Sequence, residues 1–213
     1  MSIVITTPTG NIGSATTRHL IDAGEKPVLI ARDPAKVEQF TSKGAVAKQG
    51  SHADAAFLTE ATKGATALLV VTPPDFQIQD IRAHYTKFAE AAVKAIHANS
   101  IPYVVHLSSV GADLENGNGP VAGLYQAEQI LNRADIPNLI HLRPGYFMEN
   151  TLSQIPSILQ AGSMFTTFPE GTRFPMIATR DIGARAAELL RKRDWSGSQV
   201  VELQGAGETT YDD

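Results

Sequence analysis

The stretch Ile3-Val4-Ile5-Thr6-Thr7-Pro8-Thr9-Gly10-Asn11-Ile12-Gly13, running directly into Ser14-Ala15-Thr16-Thr17-Arg18-His19-Leu20-Ile21-Asp22-Ala23-Gly24, decides the fold. Three β-branched residues make a short strand, a turn holding two glycines follows, and an amphipathic helix starts at once. Ile12, Ala15, Thr16, His19, Leu20 and Ala23 share one helical face, and Gly24 ends the element. This is the layout of a dinucleotide-binding loop. Glycine lets backbone approach a pyrophosphate closely, and the free N–H groups and positive dipole end of the new helix face its charge. On this reading both Gly10 and Gly13 face the pyrophosphate. A side chain at Gly13 is therefore expected to block the ligand while leaving the fold intact, since alanine suits a helix start.

The chain has 213 residues, enough for one domain with a substantial core. Hydrophobic residues make up 43% and charged residues 19%, an ordinary globular composition. A net charge of -4 without Lys/Arg clusters argues against a nucleic-acid footprint. With no cysteine, disulfides, thiol catalysis and Cys-ligated metal sites are excluded. The six histidines (19, 52, 84, 97, 106 and 141) lack ligand spacing, so no metal is expected; His106 and His141 read as core residues inside strands. No apolar run reaches membrane-spanning length and no secretory leader opens the chain, which makes a cytoplasmic protein the expectation.

Downstream, strand and helix alternate. Lys26 to Ala31 reads as a second strand, with Asp33-Pro34 starting a helix to Phe40. Ala45 to Lys48 is a third strand, and Ala53 to Thr62 a helix. The apolar run Ala67-Leu68-Leu69-Val70-Val71, closed by Thr72-Pro73-Pro74, suits a strand buried on both faces of a parallel sheet. A long helix over Asp80 to Ala98, a strand at Tyr103 to Leu107, a helix over Ala122 to Arg133 and a strand at Asn138 to Leu142 continue the pattern. Right-handed crossovers then require an α/β fold with a doubly wound parallel sheet, the Rossmann arrangement. Glu115 to Pro120 is a flexible loop. Phe147 to Ala161 reads as helix broken at Pro156, Thr179 to Arg193 as helix and Gln199 to Leu203 as strand. Gly207 to Asp213 resembles the first turn of another helix capped by Thr209 or Thr210. Residues 1–144 are taken as the Rossmann core, and 145–213 as a small C-terminal substrate-side region interleaved with it.

Thr9-Gly10-Asn11-Ile12-Gly13, Ala31-Arg32-Asp33-Pro34, Leu107-Ser108-Ser109-Val110-Gly111-Ala112 and Leu142-Arg143-Pro144-Gly145-Tyr146-Phe147-Met148-Glu149-Asn150 together resemble the NmrA-like group of atypical short-chain dehydrogenase/reductases. Glu128 with Leu131, and the Thr179-Arg180-Asp181-Ile182-Gly183 helix start, fit the same group. The resemblance implies an NAD(P)-binding protein with the nicotinamide over the ends of the fourth to sixth strands. Members are reductases, some acting on quinones, or redox sensors that bind partner proteins, so the implied partner is a small acceptor or a regulatory protein, and oligomers are compatible. Members are also longer, so the resemblance implies that a C-terminal region of a typical member is missing here, the chain being either naturally short or cut short.

The departures are informative. Thr7 stands where the group's first loop glycine falls and Thr16 where its third does; Ser51 replaces the acidic residue placed beside the adenine. The Tyr-x-x-x-Lys pair of orthodox members is absent, because Gln129 follows Tyr125 by four residues. Without a lysine, a tyrosine near pKa ~10 is a poor acid–base partner, so Tyr125 and Ser108 are only weak catalytic candidates. Ser108, closing the fifth strand, is a candidate for contact with substrate or nicotinamide, and Asn150 is expected to anchor backbone. Arg32 ends the second strand where an NAD site usually carries a carboxylate for the ribose 2′-OH. Its guanidinium matches a 2′-phosphate, with Lys36 one turn on, so NADP(H) is favoured over NAD(H); Asp33 competes for the ribose but also suits a helix cap. The residues expected along the cofactor are Thr7, Thr9, Gly10, Asn11, Ile12, Gly13, Arg32, Lys36, Ser51, Thr72, Pro73, Pro144, Tyr146 and Phe147.

Overall fold

The structure, a computed structural model, describes residues 2–75, 77–166 and 169–211. Seven parallel strands form the central sheet: β1 (Ser2–Ile5), β2 (Val28–Ala31), β3 (Val46–Gln49), β4 (Ala65–Val70), β5 (Tyr103–Leu107), β6 (Asn138–Pro144) and, after two further strands of the chain, β9 (Gly197–Leu203). Their spatial order is β3-β2-β1-β4-β5-β6-β9. The chain steps outward from β1 to β3, then returns to β4 on the other side of β1. The crevice between the carboxyl ends of β1 and β4 is thus the topological switch point, where open α/β sheets bind ligands.

Both faces of the sheet are covered, which explains the unbroken apolar strands. Along β4, Ala67 and Leu69 point into one core while Leu68 and Val70 point into the other. The first core holds Leu20 of α1 (Asn11–Asp22), Phe40 of α2 (Glu38–Thr41), and Ala186 and Leu190 of α7 (Thr179–Lys192). The second is closed by Leu58 of α3 (Ala55–Ala61), by Ala92 and Ile96 of α4 (Ile81–Asn99), and by Leu131 of α5 (Ala122–Asn132). α7 lies against α1 at backbone distance: a methyl on Gly183 would stand 2.5 Å from the Ala15 methyl and 2.8 Å from the Thr16 nitrogen.

A small three-stranded sheet stands beyond β6, made of β7 (Tyr146–Phe147), β8 (Phe174–Ile177) and β10 (Glu208–Thr209) in the order β10-β8-β7. It corrects the reading of the tail. Glu208 and Thr209 pair antiparallel with Pro175 and Phe174, so Thr209 caps no helix. The open edge of β8 takes the tail as a strand, and Tyr211 packs on Phe174 with ring centroids 5.2 Å apart. The helix after Asp33-Pro34 is a 3₁₀ turn over Pro34–Val37 leading into α2. Pro156 does not break a helix either. It sits in the first turn of α6 (Ile155–Ala161), where its missing N–H costs nothing, and a 3₁₀ stretch over Met148–Gln154 precedes it. The loop around Glu115 is fastened: the Asn118 amide donates to the carbonyls of Gly111 (3.1 Å) and Leu114 (2.6 Å), and the Arg82 guanidinium to that of Glu115.

Candidate functional site

The loop between β1 and α1 is as tight as covalent geometry allows. Gly10 N–H donates to the Thr7 carbonyl at 3.2 Å, closing the turn, and Ser14 N–H donates to Gly10 at 2.8 Å as α1 begins. No side chain caps this helix and no acidic residue stands in its first turn, so its leading N–H groups are left for an anion. The two glycines have different jobs. A Cβ on Gly13 would lie 1.9 Å from the Thr7 carbonyl oxygen and 2.7 Å from its carbon, a contact no packed atom tolerates. Gly13 therefore builds the fold, which corrects the expectation that its replacement spares stability. A Cβ on Gly10 meets only the Thr7 oxygen, at 3.7 Å, and Gly10 has an ordinary extended φ of -79°. The protein itself does not require glycine there, so the open space suits a close ligand. The Thr7 hydroxyl is buried in the same loop without a hydrogen-bond partner. An orphaned hydroxyl, an unfilled approach at Gly10 and uncapped amides fit a pyrophosphate; Thr9 and Asn11 are exposed beside them, while Ile12 packs inward on Ile182.

Beyond the end of β2, which pairs β1 on the side away from β4, Arg32 and Lys36 are exposed. The Asp33 carboxylate accepts from Ala35 N–H at 3.1 Å, so it serves as a cap. The Ser51 hydroxyl accepts from Ala53 N–H at 3.3 Å and closes the turn after β3. Sequence reading missed the two imidazoles that hold the segment after β4. The His52 Nε2 lies 3.1 Å from the Val71 carbonyl and the His84 Nε2 lies 2.9 Å from that of Pro73, with Phe88 against both rings. Burial pushes the His52 pKa down to about 4, and the Arg32 charge adds to the effect. The neutral ring donates its Nε2–H to Val71, fixing Val71, Thr72 and Pro73 along the switch point. The only signal for this was a histidine shortly after the third predicted strand and another in the first turn of the long predicted helix.

At the carboxyl ends of β5 and β6 stands a buried ionic cluster. Ser108 donates its hydroxyl to Glu128 Oε1 at 2.5 Å, and Arg143 grips the same carboxylate with Nε (3.0 Å to Oε1) and Nη2 (2.6 Å to Oε2). Ser108 and Glu128 are each 2% exposed. Glu128 comes from α5, Ser108 from the end of β5 and Arg143 from β6, so the cluster ties three elements together. The Ser108 hydroxyl is thus engaged in a buried bond to Glu128. Tyr125 lies beneath Arg82, whose guanidinium carbon is 5.7 Å from the ring centroid. His106 and His141 are fully buried behind the cluster, with their Nδ1 atoms 3.0 Å apart, and His141 Nε2 is 3.1 Å from Asn132.

Past β6, Pro144 is buried, and Tyr146 and Phe147 pair with Met176 and Ile177. Phe147 reaches the same apolar cluster as Ile12, so the phosphate loop and the segment after β6 share packing. The anchor in this segment is Glu149, not Asn150. Its carboxylate accepts from the Thr179 N–H at 3.0 Å and hydroxyl at 2.7 Å, capping α7 from thirty residues away; Asn150 is exposed. Burial would raise the Glu149 pKa, but the Thr179 hydrogen bonds outweigh it and hold the carboxyl below the usual glutamate value. Among the described residues, no group of three or more His, Cys, Asp or Glu side chains could hold a metal, and no helix is long and apolar enough to cross a membrane.

A Rossmann sheet with an anion-ready glycine loop at its switch point defines a dinucleotide-binding class of protein. The NAD(P)H-binding family is matched over residues 8–193, and the chain belongs to that family. It is similar to quinone oxidoreductase 2 of Escherichia coli (strain K12), 26% identical over 205 residues that cover 95% of this chain and 68% of that one. It is also similar to the NAD(P)H azoreductase of Xenophilus azovorans, 28% identical over 192 residues, 89% of this chain and 63% of that one. The chain thus spans about two thirds of the length of these relatives. Its fold is shared with Citrobacter sp. triphenylmethane reductase complexed with NADP(H), at a TM-score of 0.83 and 18% identity over all of this chain and 73% of that one. It is also shared with an Escherichia coli NADPH-dependent quinone oxidoreductase complexed with NADPH, at a TM-score of 0.81 and 24% identity over 99% of this chain and 71% of that one.

Proposed function

We propose that the chain binds NADP(H) and serves a reductase that passes hydride to a quinone-like or other small activated acceptor. The observation that carries the cofactor assignment is the uncapped start of α1 with Gly10 open beside it, and with Arg32 exposed just past the end of the neighbouring β2. Thr7, Thr9, Gly10, Asn11 and the first turn of α1 would hold the pyrophosphate, and Arg32 with Lys36 the 2′-phosphate. Ser51, Thr72 and Pro73 would flank the adenosine half, and Pro144, Tyr146 and Phe147 the nicotinamide, within a substrate-side region over 145–213. When bound, reduced nicotinamide supplies hydride. The protein binds and orients, and solvent supplies protons where the acceptor needs them. The names of the relatives, quinone oxidoreductase and azoreductase, support acceptors of this kind. A cytoplasmic setting follows from the same reading.

Calorimetric titration with NADPH and NADH tests the cofactor, and loss of NADPH absorbance with a panel of quinones tests turnover. NADPH should bind more tightly, and Arg32→Ala should weaken it by about 1.5–3 kcal/mol, the value of a hydrogen bond to a charged group, with little effect on NADH. Equal wild-type affinities overturn the NADP(H) assignment. Tight binding without turnover of any acceptor would identify a redox sensor instead.

A further inference from the structure

β4 ends at Val70, and Val71-Thr72-Pro73-Pro74 run on beside the switch-point crevice as irregular backbone. Two of these four residues are prolines with no N–H to offer. Side chains from three other parts of the chain hold the segment instead. Thr6, between β1 and the glycine turn, accepts the Val71 N–H on its hydroxyl at 3.0 Å and returns its own proton to the Val71 carbonyl at 3.4 Å. The same carbonyl lies 3.1 Å from His52 Nε2, in the turn after β3, and the Pro73 carbonyl lies 2.9 Å from His84 Nε2, in the first turn of α4. A carbonyl only accepts, so each imidazole carries its proton on Nε2. Phe88 backs both rings, with centroids 4.6 Å from that of His52 and 5.0 Å from that of His84. Thr6 and His52 are both buried.

The Val71 side chain packs in the same apolar cluster as Ile12 of α1, so Val71 is the joint between the glycine loop and the segment after β4. Its backbone is gripped from the β1 side by Thr6 and from the β3 side by His52, while His84 holds the next turn of chain from α4. We propose that Thr6, His52 and His84 are positioning residues for the dinucleotide: acting through the backbone of Val71 and Pro73, they set the width of the crevice in which its adenosine half lies. The proposal rests on the NADP(H) reading above. A segment fixed before the ligand arrives has little ordering left to lose on binding, whereas a loosened one must be ordered at the expense of affinity. Withdrawing one of these bonds therefore weakens the adenosine half by about tenfold, the ratio that corresponds to one hydrogen bond of ordinary net strength.

The test is calorimetric titration of the whole chain with NADPH and with 2′,5′-ADP, a probe that carries the adenosine and its two phosphates but no nicotinamide. Thr6→Val, which keeps the shape and removes the hydroxyl, and His52→Leu should each weaken both ligands by about tenfold. Thr6→Ser and His52→Gln, which restore an O–H and an N–H, should bind within about two-fold of wild type. Leu131→Ala opens a cavity in the second core, away from these bonds, and should lower Tm while leaving both affinities unchanged. Thr6→Val and His52→Leu proteins that bind like wild type, or a Leu131→Ala protein that loses as much affinity as they do, overturn the proposal while the cofactor reading stands. If Thr6→Val does not fold, His52→Leu and His84→Leu, both outside the sheet, decide by the same measure. A wild-type chain that binds neither probe sinks the cofactor reading itself.

Discussion

Replacing Gly13 and Gly10 one at a time by alanine separates architecture from ligand. The Gly13 methyl would stand 1.9 Å from the Thr7 carbonyl oxygen. To reach ordinary contact, helix and loop must part by more than an ångström, and both neighbours are backbone, so no rotamer change relieves the overlap. Overpacking of this kind costs about 1–3 kcal/mol and more where backbone must move, so Gly13→Ala should lose about 3 kcal/mol. For a chain of this length that is a fall in Tm of about 6–12 °C. Gly10→Ala meets only a 3.7 Å contact at a permitted φ, and its Tm should stay within about 3 °C of wild type. Its response to cofactor should collapse, however. With NADPH a hundredfold above the dissociation constant, wild type gains about 2.7 kcal/mol by mass action and Gly10→Ala should gain almost nothing. Thermal melts of the three proteins, with and without NADPH, read both effects. A Gly13→Ala protein that melts like wild type, or a Gly10→Ala protein that keeps the full NADPH shift, would refute the reasoning.

Three further outcomes concern stability. Glu128→Gln leaves the half-buried Arg143 guanidinium with only the exposed Asp113 carboxylate, 3.7 Å away, and should cost about 2–3 kcal/mol in urea unfolding, against about 1.5–3 for Ser108→Ala; a loss under ~1 kcal/mol for Glu128→Gln would mean that the cluster is not holding β5, β6 and α5 together. Glu149→Gln weakens the cap of α7 and should cost about 1 kcal/mol; because the folded carboxyl titrates below its unfolded value, the wild-type advantage should be present above that unfolded value and fade as pH falls through the folded one. Burial lowers His52 and His141 from 6.5 to about 4, and His106 further, so unfolding takes up protons. Stability should be full above about pH 6.5 and drain toward pH 4, by about 3 kcal/mol for each of the first two, and urea midpoints that stay flat down to pH 5 would contradict those burials.

The doubly wound sheet was legible because β4 is apolar on both faces and Asp33 and Asp80 stand at the starts of predicted helices. The division of labour between Gly10 and Gly13 was not. Which glycine meets a carbonyl depends on where the loop lies over the helix, and a one-dimensional spacing is silent on that. Glu128 looked like a helix residue with no task, because its partners Ser108 and Arg143 reach it only through the sheet. The tail misled for a related reason: Thr209 and Thr210 offer good capping chemistry, but the open edge of β8 supplied a better use for the same backbone.

Gly183 and Glu149 act on the same helix, one setting α7 against α1 and the other tying its first turn to the segment beyond β6. On the proposed reading, the surfaces for the two ends of an extended dinucleotide would thus be joined by one helix already set in place by packing. Freezing such a surface costs entropy at folding, so docking has little left to immobilise. Each half of the dinucleotide then behaves as a weak binder whose covalent link presents the other half at high effective concentration. A side chain at Gly183 would overlap Ala15 and Thr16 of α1, push the two helices apart and so misalign that baseline.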